Sequence, residues 1–80
     1  MPRLPAIEGQ QLVKVLQKLG FVIIRTKGSH VRMRAEDGRV TTVPIHAKAI
    51  LPKGLLRKII REDLKMELSE FIDTYSRLKK

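Results

Sequence analysis

The sequence predicts an α+β fold: a helix, a three-stranded antiparallel sheet, then helix again, with the helices on one face of the sheet. Three observations carry this. Leu12, Val15, Leu16 and Leu19 recur at the i, i+3, i+4, i+7 spacing of a single helical face. Residues 30–34 alternate strictly, with Val31 and Met33 on one side and His30, Arg32 and Arg34 on the other. Glycine-bearing breaks at Gly28-Ser29 and at Ala35-Glu36-Asp37-Gly38 cut the β-rich middle into three short runs, which reads as a meander. Neither a helix nor a sheet buries its apolar face alone, so both main helices are expected to share one side.

In chain order, residues 1–6 form a lead-in broken by Pro2 and Pro5. The first helix spans residues 8–19, with Glu8 near the positive end of its dipole and Gly20 as a left-handed C-cap. Residues 21–25 are an unbroken β-branched and aromatic run, which predicts a strand covered by helices on one face and partly covered on the other. The third strand occupies residues 39–43 and Pro44 stops it. Residues 45–52 are irregular and carry His46 and Lys48; Pro52 is placed to open a second helix whose apolar face is Leu55, Leu56, Ile59 and Ile60. Arg57, Lys58 and Arg61 lie on its flank. Leu68, Phe71, Ile72, Tyr75 and Leu78 give a short final helix over residues 67–78, which could continue the second because no glycine intervenes.

Eighty residues suit one domain, here 1–80 with its core over 7–64, and leave no room for a second. There is no cysteine, so no disulfide framework or thiolate metal site. His30 and His46 are the only imidazoles and no carboxylates group with them, so neither a metal nor a cofactor is expected. No apolar run is long enough for a membrane span or a secretory signal, which makes the cytoplasm the expected compartment. The net charge of +9 is unevenly spread: between Gly9 and Ala35 there is no acid, while Lys14, Lys18, Arg25, Lys27, Arg32 and Arg34 all fall there. A cationic body of this kind fits a polyanionic partner such as nucleic acid, or an acidic protein.

Lys27-Gly28-Ser29-His30, followed by the basic strand, is where chemistry concentrates. Histidine moves protons near neutral pH, and the neighbouring cations Lys27, Arg32 and Arg34 could hold a phosphate. Lys48, Arg57, Lys58 and Arg61 are candidates for contacts to a nucleic-acid backbone. Gly28 and Ser29 support the turn; Ser29 has no base or carboxylate companion that would make it a nucleophile. His46 is a candidate second acid–base group. The residues alone leave open whether His30 cleaves, grips or merely edges a hairpin.

The Gly28-Ser29-His30 step, the run Val43-Pro44-Ile45-His46 and the later Leu51-Pro52-Lys53-Gly54-Leu55-Leu56-Arg57, in this element order, resemble the HicA-type toxins, also called YcfA-like. The resemblance runs from Gln11 to Leu64. It implies a double-stranded-RNA-binding-like α-β-β-β-α fold, an mRNA interferase activity that needs no metal, a catalytic role for His30, and a HicB-type antitoxin as partner. A non-catalytic RNA-binding module and an inactive, protein-binding relative of the toxins are the alternatives. Two positions depart from the family pattern: Leu55 stands where threonine is common, and the glycine often found between the last two helices is missing near Lys65.

Overall fold

A computed structural model of the chain describes residues 3–79. The order of elements is α1 (Gly9–Lys18), β1 (Phe21–Lys27), β2 (His30–Ala35), β3 (Val40–Pro44), α2 (Lys53–Lys58), a π-helical turn (Ile59–Asp63) and α3 (Leu68–Lys79). The strands form one antiparallel sheet in the order β1-β2-β3. This is the α+β architecture expected, with both main helices on one sheet face.

The alternation of β2 sorts its side chains cleanly. Val31, Met33 and Ala35 are buried beneath the helices, and His30, Arg32 and Arg34 are exposed on the opposite face. In β3 the partners of the buried residues, Thr41 and Val43, face the same core. That core joins Leu12 and Leu16 of α1 to Leu56, Ile59, Ile60 and Leu64, and Phe71 of α3 closes it. Phe71 stacks on Tyr75 with ring centroids 6.5 Å apart, so both aromatics serve packing. The lead-in packs as well: Leu4 and Ile7 are buried, and the Ile7 carbonyl accepts from the Leu51 N–H. Met1 and Pro2 lie outside the described residues.

The start of α1 is better marked than its dipole suggests. Glu8 is the N-cap, and its N–H donates to Gln11 Oε1 at 2.8 Å, one half of a capping box. Gly20, at φ +100°, ends the helix in the left-handed region as expected.

One expectation needs correction, and one open alternative is decided. The run at 21–25 is not a covered strand: β1 extends to Lys27, and only Phe21 is buried. Past Phe21 its side chains stay exposed on both faces, so no other element of the described chain covers this edge strand as the core covers Thr41 and Val43 of β3. The final helix is also separate from the second. After the π-helical turn, Lys65 takes φ +56°, and the Met66 N–H donates to the Ile60 carbonyl. This reversal uses a left-handed lysine, which costs a β-carbon clash that glycine would avoid.

The end of the π-helical turn is pinned to β3. Thr41, 3% exposed, donates its hydroxyl to Asp63 Oδ2 at 2.8 Å, and Arg39 Nη1 donates to the Leu64 carbonyl at 2.6 Å. The same guanidinium lies 5.3 Å from the Phe21 ring centroid and pairs with Asp37 in the β2–β3 turn. Among the described residues no helix is long and apolar enough to cross a membrane.

Candidate active site

The β1–β2 connection is a two-residue loop, Gly28-Ser29, closed by the pairing of Lys27 with His30. Gly28 has φ +59°, the conformation that mirror-image hairpin turns demand at their first position. A β-carbon there would meet no atom of the chain, so the glycine serves backbone conformation rather than packing. The loop is fixed from the other side by the Ile45 N–H, which donates to the Ser29 carbonyl at 2.6 Å. That bond brings the segment leading into His46 alongside the turn.

His30 is thereby held at the first position of the middle strand, on the face the helices leave open. It lines a shallow hollow of about 220 Å³ with Arg25, Lys27, Arg32 and Thr42. The pairings Lys27–His30, Arg25–Arg32 and Arg32–Thr42 place these side chains on adjacent strands. The histidine is exposed, three cations surround it, and no carboxylate lines the hollow. Such a surface attracts a phosphate and repels a metal cation. Among the described residues, no three histidine, aspartate or glutamate side chains gather as a metal site would need.

Arg32 and Thr42 also line a second hollow, over the β3 edge, with Lys58, Leu55 and Asp63. Lys58 is thus the helical cation nearest in arrangement to the His30 face. Arg57 and Arg61 are exposed on α2 and the π-helical turn, and Lys48 is exposed in a left-handed turn at φ +59°; none of the three lines either hollow. Arg34 shares the open face but borders a different depression, with Val22 and Ile24. His46 is exposed beyond Ile45 and does not line the His30 hollow.

Two residues of the hollow escape a reading of the sequence as a site. Strict alternation from the buried Phe21 puts Arg25 on the core side, but the register shifts between Ile23 and Arg25, and this bulge at Ile24 turns Arg25 outward. A charge at an inward position was the available signal for that bulge. Thr42 lies opposite Arg32 and between the buried Thr41 and Val43, so its outward direction followed from alternation.

The sequence model of the family described as the HicA toxin of bacterial toxin–antitoxin systems matches residues 9–64. This chain belongs to the HicA toxin family. The matched stretch runs from the first residue of α1 to the residue that follows the π-helical turn, and it includes the whole sheet and the His30 hollow. No individual curated protein matches the chain. As a HicA toxin, the chain is the toxic member of a pair and has an antitoxin for its partner. The α3 helix, Leu68–Lys79, lies outside the family match and adds Phe71 and Tyr75 to the core.

Proposed function

We propose that this HicA toxin is a metal-independent endoribonuclease that cleaves mRNA with His30 as its catalytic residue. It works as one cytoplasmic domain, silenced by a HicB-type antitoxin. The observation that carries the reading is the open hollow that combines His30 with Arg25, Lys27 and Arg32. A strand of RNA laid over it places a phosphodiester among the cations and a ribose beside the imidazole.

In the reaction His30 removes the proton of the ribose 2′-OH. The freed oxygen bonds to the adjacent phosphorus, the bond from phosphorus to the 5′ oxygen breaks, and that oxygen takes a proton from solvent, to which the hollow is open. The products are a cyclic 2′,3′-phosphate and a 5′-hydroxyl. Arg25, Lys27 and Arg32 stabilise the charge that builds on the phosphate oxygens. Lys58 extends this cationic surface over the β3 edge through Arg32 and Thr42. Gly28 and Ser29 hold the histidine in place, and His46, Lys48, Arg34, Arg57 and Arg61 are outer contacts for a longer RNA. The contacts are to phosphate and ribose, so binding is strongly salt-dependent and only weakly selective for sequence.

The test compares the purified, antitoxin-free chain with His30→Ala on a synthetic RNA. The expected result is a loss of cleavage of about 10²–10⁴-fold, with RNA binding retained. Cleavage by His30→Ala at the unaltered rate would overturn the catalytic assignment. An unaltered chain that binds RNA without cutting it would reduce the site to a binding surface.

A further inference from the structure

We propose that the antitoxin docks on the outer edge of β1 by adding an extended, apolar strand flanked by acidic residues. The inference rests on membership of the HicA toxin family and is independent of whether His30 cleaves RNA. In an antiparallel sheet, alternate N–H and C=O groups of an edge strand point away from their neighbour. β1 is such an edge, seven residues long and without proline. It is also the most apolar exposed part of the chain. Val22, Ile23 and Ile24 are consecutive, and 60%, 46% and 48% of their surfaces meet solvent.

Consecutive residues of a strand project to opposite faces. An added strand would therefore cover apolar side chains above and below the sheet at once. On the open face, Val22 and Ile24 line a depression with Arg34 and Glu36, able to take one apolar side chain of the incoming strand. The opposite edge of the sheet offers no similar apolar run: β3 reads Val40-Thr41-Thr42-Val43-Pro44, with Thr41 and Val43 buried and only Thr42 exposed.

Charge selects the occupant. Arg25 and Lys27 stand at the end of the apolar run, and the chain carries +9 overall. A second copy would bring the same cations and the same net charge. A strand with acids beyond its apolar centre meets Arg25 and Lys27 with opposite charge. Those two cations also line the His30 hollow. Docking on β1 thus withdraws from RNA part of the surface that holds its phosphates.

The experiment uses the toxin co-expressed and purified with the antitoxin encoded beside it. Backbone hydrogen exchange is compared between free toxin and complex, and binding is measured for Ile23→Asp, which lies away from the His30 hollow. The proposal expects amide exchange across β1 to slow by roughly tenfold or more in the complex. It expects Ile23→Asp to weaken antitoxin binding by about tenfold or more while antitoxin-free RNA cleavage keeps its rate. Protection confined to β2, β3 or the helices overturns it, as does unweakened binding by a folded Ile23→Asp. Sedimentation that finds a dimer of the free chain, dissolved by Ile23→Asp, overturns it too and assigns the edge to a second copy. If the unaltered toxin fails to cut RNA while Ile23→Asp loses the antitoxin, the docking surface stands and the ribonuclease reading alone falls.

Discussion

Along β3 the sheet ends against its own chain. Thr41 donates to Asp63, Arg39 reaches the Leu64 carbonyl, and Gly9 lets the start of α1 lie directly on the end of the strand at Pro44. Along β1 the sheet ends in solvent, with three consecutive apolar residues exposed. The two edges contain similar numbers of β-branched residues, but in β3 two of them are threonines, whereas β1 opens on four consecutive apolar residues. They differ too in whether side chains beside the strand reach another element of the same chain, as Thr41 and Arg39 do. A strand tied by specific hydrogen bonds to another element contributes to folding, whereas exposed apolar side chains on an edge strand contribute little to it and are free to meet a partner. Changes along β3 should therefore register in stability, and changes along β1 in partner binding.

The largest stability effect is expected at Gly9. An alanine β-carbon there would collide with the Pro44 carbonyl oxygen and come within 3.2 Å of Ile45 Cα. Both obstacles are backbone, so neither can rotate away, and α1 must move off the sheet. Gly9→Ala is expected to lose about 2 kcal/mol net, even though alanine is the better helix former. Chemical denaturation should show this as a lower midpoint with an unchanged slope. Full stability in Gly9→Ala would mean that α1 slides on β3, and the contrast between the edges would lose one of its supports.

Arg39 is the next most sensitive point. Its guanidinium bonds the Leu64 carbonyl at the end of the π-helical turn and sits over the Phe21 ring. Removing it with Arg39→Ala is expected to cost about 1 kcal/mol from these two contacts, visible as a lower Tm. RNA cleavage should persist, because Arg39 does not line the His30 hollow.

Much of this arrangement was legible before any coordinates. The alternation of β2 was clean because one face of that central strand is buried along its whole length, and it put His30, Arg32 and Arg34 on the exposed face. The hairpin turn at Gly28 was marked by a residue type that its positive φ requires. The exposure of β1 was not legible. A run such as Phe21-Val22-Ile23-Ile24 reads alike whether its cover comes from the same chain or from another, and periodicity cannot tell the two apart. Arg25 was not picked out for a related reason, because one bulged residue reverses every later side chain in the strand. The break at Lys65 was hidden because no glycine marks it; tertiary packing of Leu64 and Phe71 holds a left-handed lysine that local preference would not choose.

The smallest expected effect separates the parts of the Arg39 anchor from one another. The Arg39 backbone N–H donates to Asp37 Oδ1 at 3.1 Å, and its side-chain Nε donates to Asp37 Oδ2 at 2.8 Å. These bonds, the backbone one foremost, hold the Asp37 carboxyl below its ordinary value of 3.8. A lowered folded-state pKa means that the unfolded chain takes up the proton first as pH falls. The stabilisation is therefore complete above the unfolded value and disappears as pH drops through the folded one. Asp37 is exposed, so the effect should be slight and should fade with added salt. The Tm of Asp37→Asn is expected to fall a little below that of the unaltered chain at neutral pH, and to converge with it in acid below the carboxylate range. A loss in Asp37→Asn at neutral pH equal to that in Arg39→Ala would place the strength of the anchor in this exposed turn. A much smaller loss locates it in the Leu64 and Phe21 contacts, where β3 and the π-helical turn close the edge.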